Sequence, residues 1–364
     1  MDYDYLIFIG RFEPFHNGHV AVARYALTRA KKVIFLVGSA DTPRTIKNPW
    51  SVGERAVMIQ STLADAADRL IIRPLRDHLY NESQWIATVQ RTVADAIKAD
   101  AIKSDASKSD ASKPDGGNTE TRIGMIGKDK DASSYYLQEF PQWDLVDVKH
   151  TETLSATELR RYLYEANQLE SHGGRMMIRA NVPGPVFDML EAFRKNSPVF
   201  KQLVVEHHFI DTYRAAWADA PYPPTFVTTD AVVVHSGHVL LIRRRAEPGK
   251  GLWALPGGFV GQDDGIEQAC LRELREETRL KIPVAVLRGS IKNRHVFDHP
   301  ERSLRGRTIT HAFHFDFPAG DLPDVRGGDD ADKARWIPVS EALDMGAQLF
   351  EDHLHILEFF LGRG

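Results

Sequence analysis

Two histidines near the start of the chain lie in a stretch whose composition suits phosphate binding. The apolar run YLIFIG ends at Gly10, and the sequence continues RFEPFHNGH, which places His16 and His19 three positions apart. A loop between a strand and a helix N-terminus binds anions well, because backbone N–H groups and the helix dipole both favour negative charge. Gly18 would let the backbone approach a phosphate closely. The stretch therefore predicts a phosphate-binding loop, with a capped, solvated helix end as the alternative.

Three glutamates in the second half of the chain are spaced for metal binding. Glu273, Glu276 and Glu277 stand at positions i, i+3 and i+4 of a helix predicted over Gly265–Arg279, so their carboxylates share one face. Neighbouring carboxylates repel one another, and a hard divalent cation converts that repulsion into ligation. The pattern predicts a Mg²⁺ site, with Mn²⁺ as the second choice, and a solvated acidic helix face is the alternative.

A basic loop follows this helix and precedes a predicted strand. It begins with RHVFD at Arg294 and continues to Arg302 and Arg305. Guanidinium forks are suited to holding a pyrophosphate, so we expect Arg302 and Arg305 to bind substrate, with a solvated surface run as the alternative. The spacing does not identify the catalytic base, for which Glu273 and Asp298 are both candidates.

The first half of the chain supplies the elements that would position the histidines. Amphipathic stretches separate its apolar runs, and one of them carries Ala23 and Leu27 on a single helical face. Strands that alternate with helices imply an α/β domain with a parallel sheet covered on both faces. The predicted strands are Tyr5–Gly10, Val33–Gly38, Arg69–Leu75, Ile123–Gly127 and Leu145–Val148.

The second half has a different texture, which predicts an α+β domain with a fold of its own. Its apolar runs are mostly short and strand-like, and a long helix over Gly265–Arg279 interrupts them. The predicted strands are Ala231–Val234, Val239–Ile242, Val284–Leu287 and Thr310–Phe317.

The boundary between the halves lies near a proline-rich connector. Two amphipathic helices, Val186–Arg194 and Phe200–Trp217, precede the stiff sequence APYPP at 220–224. Residues 103–117 read KSDASKSDASKPDGG, a tandem repeat without apolar periodicity, which predicts a disordered insertion. The expected parts are a first domain over 1–194, a helical and proline-rich linker over 195–222, and a second domain over 223–364.

The composition is that of an ordinary globular protein with enough apolar material for two cores. Of the 364 residues, 43% are hydrophobic and 26% are charged, and 46 lysines and arginines against 50 aspartates and glutamates give a net charge of −4. This balance gives no reason to expect nucleic acid or a membrane as a partner, and no apolar run approaches the ~18 residues of a membrane span.

Cys270 is the single cysteine and forms an apolar stripe with Ile266 and Leu274, so we expect a core residue in a cytoplasmic protein.

The first half resembles a known group of adenylyltransferases. GRFEPFHNGH resembles the GRFxPxHxGH signature of the nucleotidyltransferase superfamily, whose members have a Rossmann-like sheet, and Leu154–Arg160 is similar to its ISxTxxR motif. The stretches GSA at Gly38, NPW at Asn48 and GKDK at Gly127 resemble the archaeal-like nicotinamide mononucleotide (NMN) adenylyltransferases. The resemblance implies reaction of NMN with ATP to give NAD and pyrophosphate, through direct in-line attack on the ATP α-phosphate.

The same resemblance implies roles for individual residues. His16 and His19 would bind the reacting phosphates, while Arg11 and Arg160 would neutralise charge together with Mg²⁺. Trp85 would stack on the nicotinamide ring, with a core tryptophan as the alternative, and an acceptor such as pantetheine phosphate would leave Trp85 without this role. The other residues implied to bind substrate are Gly10, Gly18, Arg44, Asn81 at the carboxamide, Lys128, and Ser155 and Thr157 at the β- and γ-phosphates.

The second half resembles the Nudix hydrolases. The segment from Gly258 to Leu280 is similar to the Nudix box GX5EX7REUXEEXGU, with Asp264 in place of the usual glutamate and Arg279 in place of the usual glycine. Because of Arg279 we expect the turn after the helix to differ from that of the family. The resemblance implies metal-assisted hydrolysis in which Arg272 and Glu273 are catalytic and the three glutamates bind the metal.

Together the two halves resemble the bifunctional NMN adenylyltransferase/Nudix hydrolases of bacteria. In that family the Nudix half is associated with hydrolysis of ADP-ribose to AMP and ribose 5-phosphate. The alternatives for this half are a sensor that binds ADP-ribose without cleaving it and a hydrolase of another dinucleotide. The sequence leaves open whether the chain forms a homo-oligomer.

Overall fold

The computed structural model describes residues 1–106, 121–127, 137–148, 154–165, 172–328 and 331–362. The chain divides into two compact units, and the division falls within one helix, since Lys201 belongs to the first unit and Gln202 to the second. The second unit also contains two short segments from early in the sequence, Asp41–Thr45 and His78–Asn81. The first unit comprises Met1–Ala40, Ile46–Asp77 and Glu82–Lys201.

The first unit is built on a five-stranded parallel sheet with the strand order β3-β2-β1-β4-β5. This architecture confirms the predicted α/β class, and each of the five predicted strands is present. The elements are β1 (Tyr3–Gly10), α1 (Asn17–Arg29), β2 (Ala30–Ala40), α2 (Val52–Thr62), β3 (Leu70–Arg76), α3 (Glu82–Ala106), β4 (Ile123–Gly127), β5 (Asp144–Asp147), α4 (Ala156–Glu165), α5 (His172–Asn181), α6 (Gly184–Asn196) and α7 (Pro198–Ala215).

Helices cover the sheet because its strands are apolar on both faces. Ile7 and Ile34 point to one face, where Val89 and Val93 of α3 pack against them. In parallel sheets of this kind ligands bind beyond the carboxyl ends of the strands, and β1 ends at Gly10, where the predicted phosphate loop begins.

Helix α3 extends into the segment predicted to be a disordered insertion. It ends at Ala106, so the first four residues of 103–117 are helical. The rest of that segment, 107–117, lies outside the described residues.

The second unit contains a mixed sheet with the order β10-β11-β6-β7-β12, in which β6 and β11 are parallel and the other neighbours are antiparallel. The short strands β8 and β9 pair with β7 and β6. The elements are β6 (Thr225–His235), β7 (His238–Arg244), β8 (Trp253–Ala254), β9 (Gly257–Phe259), α8 (Ile266–Thr278), α9 (Val284–Gly289), β10 (Ile291–Phe297), β11 (Arg307–Phe317), β12 (Ala331–Pro338), α10 (Val339–Leu343) and α11 (His353–Leu361).

Two helices cover opposite faces of this sheet, as the alternation along β6 requires. Val233 packs with Leu274 of α8, whereas its neighbour Val232 packs with Ile356 of α11. The arrangement confirms the predicted α+β class. No helix in the described part of the chain is long and apolar enough to cross a membrane.

Two local predictions in this unit were wrong. Val284–Leu287 was expected as a strand but begins α9, because the carbonyl of Pro283 accepts hydrogen bonds from Val286 and Leu287 and only Leu287 is buried in the helix. The turn after α8 was expected to differ from a glycine turn. Arg279 nevertheless has φ 53° and ψ 26°, the left-handed conformation that glycine favours at this position.

Candidate active sites

The two motif histidines lie at the start of α1 and hold its first turn. Nδ1 of His16 accepts a hydrogen bond from the Gly18 amide at 3.1 Å, and the His16 amide donates to Nδ1 of His19 at 3.3 Å. Because both Nδ1 atoms act as acceptors, the neutral form of each ring carries its proton on Nε2. The predicted loop therefore contains two imidazole N–H donors of defined tautomer.

Aromatic packing fixes the orientation of these rings. The His16 and His19 ring centroids are 3.8 Å apart, and Phe15 stacks on His19 at 5.7 Å with an interplanar angle of 12°. Phe12 contacts His19 edge-on and has a left-handed φ of 56°. A Cβ atom on Gly10 would lie 2.9 Å from the Phe12 ring, so this packing requires glycine at the end of β1.

A buried ion pair that the sequence did not predict supports the loop. Oε1 of Glu13 lies 3.2 Å from Nε of Arg55, and the other carboxylate oxygen accepts a hydrogen bond from the Trp50 amide. Nη1 of Arg55 donates to the carbonyls of Arg11 at 2.8 Å and Gly38 at 2.7 Å. Arg55 thus ties the loop after β1 to the carboxyl end of β2. A glutamate within the otherwise apolar sequence FEPF was the signal that could have indicated a buried partner.

Arg160, predicted to neutralise phosphate charge, reaches the same loop from α4. Its Nη1 donates to the carbonyl of Glu13 at 2.5 Å, and its Nη2 donates to Oγ1 of Thr157 at 3.2 Å. Burial lowers the pKa of Arg160 to about 10, and the nearby Arg11 guanidinium adds to this shift. Burial raises the pKa of Glu13 to about 7, against the opposing attraction of Arg55. The loop is therefore rich in desolvated charge.

The remaining predicted residues of the first site have varied environments. Nη1 of Arg11 donates to Asn48, and Ser155 caps α4 by exchanging hydrogen bonds with Glu158. Trp85 is half-buried at the edge of the core, where its ring lies 6.0 Å from that of Phe140. Arg44 and Asn81 belong to the short segments that are part of the second unit, and Lys128 lies outside the described residues.

In the second unit, Arg272 organises the acidic face of α8. Its Nη1 donates to Glu273 at 2.9 Å and to Glu276 at 3.0 Å, while Nη2 donates to Asp264 at 3.0 Å. The shorter aspartate in the Nudix box therefore still reaches the arginine. These contacts hold two of the three predicted metal ligands at one guanidinium.

The third glutamate points inward toward the glycine strand β9. Oε2 of Glu277 accepts a hydrogen bond from the Gly257 amide at 2.8 Å, and burial raises the pKa of Glu277 to about 8. A Cβ atom on Gly258 would lie 2.7 Å from the Glu273 carboxylate, so glycine there leaves room for that side chain. Gly258 thus makes space for the Glu273 carboxylate, whereas a Cβ atom on Gly257 would lie 2.0 Å from the Thr229 carbonyl oxygen of β6.

The described residues contain no group of three His, Cys, Asp or Glu side chains that already converges as a metal site. Arg272 engages Glu273 and Glu276, whereas Glu277 is engaged by Gly257. The donor set is nevertheless one of hard carboxylate oxygens on one helix, with Gly258 leaving space beside Glu273. Hard carboxylate oxygens are the donors that Mg²⁺ and Mn²⁺ prefer, so the chemistry of these residues fits either ion.

Arg302 does not occupy the place expected of a substrate clamp. Its side chain is 2% exposed, and its Nε and Nη2 donate to the two carboxylate oxygens of Asp352 at 2.9 and 2.8 Å. The hydroxyl of Tyr80 donates to the same carboxylate at 2.5 Å, and the Tyr80 ring contacts Phe297 edge-on. The bidentate pair commits the guanidinium inside the protein, which is a structural role.

His353, which follows Asp352 in the sequence, extends this buried cluster toward β9. Its Nδ1 accepts from the Leu255 amide at 2.8 Å, and its Nε2 lies 3.6 Å from the Asp230 carboxylate, which also accepts from Thr310. Complete burial lowers the pKa of His353. Asp230 pairs with Gly257 in the ladder between β6 and β9, so the cluster underlies the strand that contacts Glu277.

Arg305 and Cys270 complete the predicted residues of this unit. The Arg305 guanidinium lies over the Phe259 ring, 4.9 Å from its centroid, and 3.9 Å from Glu351. Phe259 directly follows the double glycine, so Arg305 is close to the motif. Cys270 is buried in the core, which confirms the predicted core position, and burial raises the pKa of its thiol.

Comparisons with known proteins match each unit to a family. The family described as Cytidylyltransferase-like matches residues 7–162, and the NUDIX domain family matches residues 224–358. The nicotinamide/nicotinic acid mononucleotide adenylyltransferase of Acinetobacter baylyi is 32% identical over 58% of this chain and 96% of its own length. The ADP-ribose pyrophosphatase of Methanocaldococcus jannaschii is 34% identical over 37% of this chain and 72% of its own length.

One solved structure is similar to the chain over both halves. A bifunctional NMN adenylyltransferase/ADP ribose pyrophosphatase of Francisella tularensis, complexed with AMP and a Mn ion, has 35% sequence identity and a TM-score of 0.86. The similarity covers 99% of each chain. On the motifs, the fold and this full-length similarity, the chain belongs to the family of bifunctional NMN adenylyltransferase/ADP-ribose pyrophosphatases.

Proposed function

We propose that the chain carries two activities: adenylyl transfer from ATP to NMN, giving NAD and pyrophosphate, and hydrolysis of ADP-ribose to AMP and ribose 5-phosphate. The names of relatives that match each half, and of one that matches both, support this pairing. The intact acidic helix face favours hydrolysis over a sensor that binds ADP-ribose without cleaving it. Cys270 as a buried, lone thiol suits a cytoplasmic enzyme.

The paired imidazoles carry the argument for adenylyl transfer. With both Nδ1 atoms held by backbone amides, His16 and His19 have Nε2–H donors for phosphate oxygens. The phosphate of NMN would attack the α-phosphate of ATP in line, and catalysis would consist of positioning and charge stabilisation. Arg11 and Arg160 would balance the charge of the leaving pyrophosphate, and Ser155 and Thr157 lie at the start of α4 beside Arg160.

The carboxylates arranged around Arg272 carry the argument for the hydrolase. Glu273, Glu276 and Glu277 would hold Mg²⁺ or Mn²⁺, which would supply Lewis-acid polarisation of the pyrophosphate and activation of the attacking water. Arg272 would orient Glu273 and Glu276 toward the ion through its hydrogen bonds. Arg305, above Phe259, is placed to contact the substrate pyrophosphate.

Two assays with matched variants test the proposal. NAD formation from NMN and ATP should fall by about two to three orders of magnitude in His19→Ala, because a fixed donor to the transition state is lost. AMP release from ADP-ribose and Mg²⁺ should disappear in Glu277→Gln, and each variant should keep the other activity. Protein that makes NAD but releases no AMP would contradict the hydrolase, and a panel of NADH, FAD and diadenosine polyphosphates would then identify another substrate or leave the sensor.

A further inference from the structure

A strongly basic cleft of about 1000 Å³ opens beside the C-terminal half of α8. Leu271, Leu280 and Ile282 provide apolar surface in it, and Glu276 is its one acidic lining residue. A chain with a net charge of −4 thus concentrates cationic side chains in one concave place. The basic residues that line the cleft are Arg272, Arg275, Arg279, Lys281, Arg288 and Arg326.

Four of these cations have no side-chain ion pair or hydrogen bond within the described residues: Arg275, Arg279, Lys281 and Arg326. The other two do have acidic partners, since Arg272 contacts the α8 carboxylates and Arg288 pairs with Glu267. Like charges held together repel one another, and an anion in the cleft removes that repulsion. Guanidinium groups in particular offer paired donors that match phosphate oxygens.

The backbone brings two of these arginines together at the end of α8. The Arg326 amide donates to the Thr278 carbonyl at 2.9 Å, and the Gly328 amide donates to the Glu277 carbonyl at 3.1 Å. A Cβ atom on Gly328 would lie 2.4 Å from Nε of Arg279, so glycine at this position leaves room for the arginine side chain. Residues 326–328 are therefore anchored to the helix end in a way that accommodates Arg279.

Arg279 occupies this place at a conformational cost. Its φ of 53° lies in the left-handed region, which L side chains rarely adopt and glycine adopts freely. Strained positions of this kind are concentrated at binding sites. A cation at a helix C-terminus can also be retained because it stabilises the helix dipole, and this second explanation makes a different prediction for stability.

We propose that this cleft binds the phosphate chain of a small molecule, either a nucleoside polyphosphate or an inorganic oligophosphate. A volume of about 1000 Å³ suits a ligand of nucleotide size, and the apolar surface could contact a base while the cations contact the phosphates. Arg272 and Glu276, which are assigned to the hydrolase, line part of the cleft, whereas the four cations without partners lie outside the residues assigned to either reaction.

The test uses calorimetric titration of the full chain with inorganic tripolyphosphate in metal-free buffer. Arg279→Gly combined with Lys281→Ala should weaken one class of binding site about tenfold or more, because charge-assisted contacts to phosphate are lost. The matched control, Lys333→Ala with Arg335→Ala, removes two charges from β12 outside the cleft and should bind as the wild type does. The proposal would be overturned if the two double variants weakened binding equally, or if neither of them weakened it.

A second titration with ATP distinguishes the two sources of phosphate. Tighter binding of ATP than of tripolyphosphate to the same class of site identifies a nucleotide ligand, and weaker binding identifies the inorganic chain. The single variant Arg279→Gly separates ligand binding from helix stabilisation. We expect an unchanged or higher melting temperature together with weaker binding, whereas a lower melting temperature with unchanged binding would assign Arg279 to the helix dipole and overturn the proposal.

Discussion

Glu13 and Arg55 form an ion pair whose side chains are 1% and 2% exposed, with 3.2 Å between Oε1 of Glu13 and Nε of Arg55. Glu13 is a residue of the loop that leads to both motif histidines, and Arg55 reaches it from α2. Because Arg55 also donates to the carbonyls of Arg11 and Gly38, the ion pair joins the loop to the carboxyl end of β2. The phosphate loop thus rests on a charged contact inside the protein.

Replacing Glu13 with alanine should destabilise the first unit and reduce adenylyl transfer. The substitution leaves the Arg55 charge buried without its partner, which costs roughly 3 to 5 kcal/mol of unfolding free energy. Scanning calorimetry of the full chain and NAD formation at a temperature below the transition measure the two effects. Asp65→Ala, which removes the partner of the solvent-exposed Arg24, is the control and should change neither. Equal stability of the two variants would contradict the prediction.

Arg272→Ala should raise the Mg²⁺ concentration that ADP-ribose hydrolysis requires. The arginine holds Glu273 and Glu276 by hydrogen bonds of 2.9 and 3.0 Å, and the loss of such a supporting contact typically costs about 10- to 100-fold in metal affinity or activity. Rates measured across a series of Mg²⁺ concentrations test this, and Arg272→Lys should recover part of the loss. Arg243→Ala, from a surface ion pair with Asp332, serves as the control. An unchanged Mg²⁺ dependence in Arg272→Ala would refute the orienting role.

Arg302→Met should destabilise the second unit without changing the affinity for ADP-ribose. The variant leaves the Asp352 carboxylate buried and unpaired, at a cost of roughly 3 to 5 kcal/mol. Calorimetry and the KM for ADP-ribose distinguish this role from substrate binding. Arg305→Ala should show the reverse, a higher KM with nearly unchanged stability. A higher KM in Arg302→Met at wild-type stability would restore Arg302 as a substrate clamp.

The stability of the second unit should fall on acidification partly because of His353. Burial lowers the pKa of His353 below its ordinary value of 6.5, beside Asp230, Asp352 and Arg302, so the unfolded chain takes up this proton at a higher pH than the folded one. The unfolded state then binds more protons than the folded state. The contribution of His353 to stability therefore rises with pH up to about 6.5 and is constant above it. His353→Asn keeps an acceptor for the Leu255 amide and should flatten this part of the profile. The melting temperature measured from about pH 5 to pH 8 tests it, and an identical slope in the variant would contradict it.

Features encoded in neighbouring residues could be predicted from the sequence. The five strands of the first sheet, the helix that carries Glu273, Glu276 and Glu277, and the histidine loop all follow from local periodicity and spacing. A four-residue apolar run such as Val284–Leu287 has too few residues to distinguish strand from helix, and the preceding Pro283 decided for the helix.

Contacts between residues far apart in sequence could not be predicted. Nothing near Arg302 indicates that Asp352, 50 residues later, neutralises it, so the local sequence predicts a substrate ligand where the fold forms a buried ion pair. The sequence around Glu13 likewise does not indicate its partner, because Glu13 lies in a loop and Arg55 lies in α2, 42 positions later. In both cases burial, which depends on the whole fold, determined the role of the charge.

The hydrogen bond from Tyr80 to Asp352 has a consequence for how the chain is made. The two residues are 272 positions apart, and Tyr80 lies in one of the two early segments that belong to the second unit. At a synthesis rate of about 5 to 20 residues per second, a ribosome needs roughly 14 to 54 seconds to reach Asp352 after Tyr80. Throughout that interval Tyr80 lacks the Asp352 carboxylate that its hydroxyl contacts in the finished protein. Two segments of the second unit are therefore translated before most of the first unit, and the rest of the second unit is translated only after the first unit is complete.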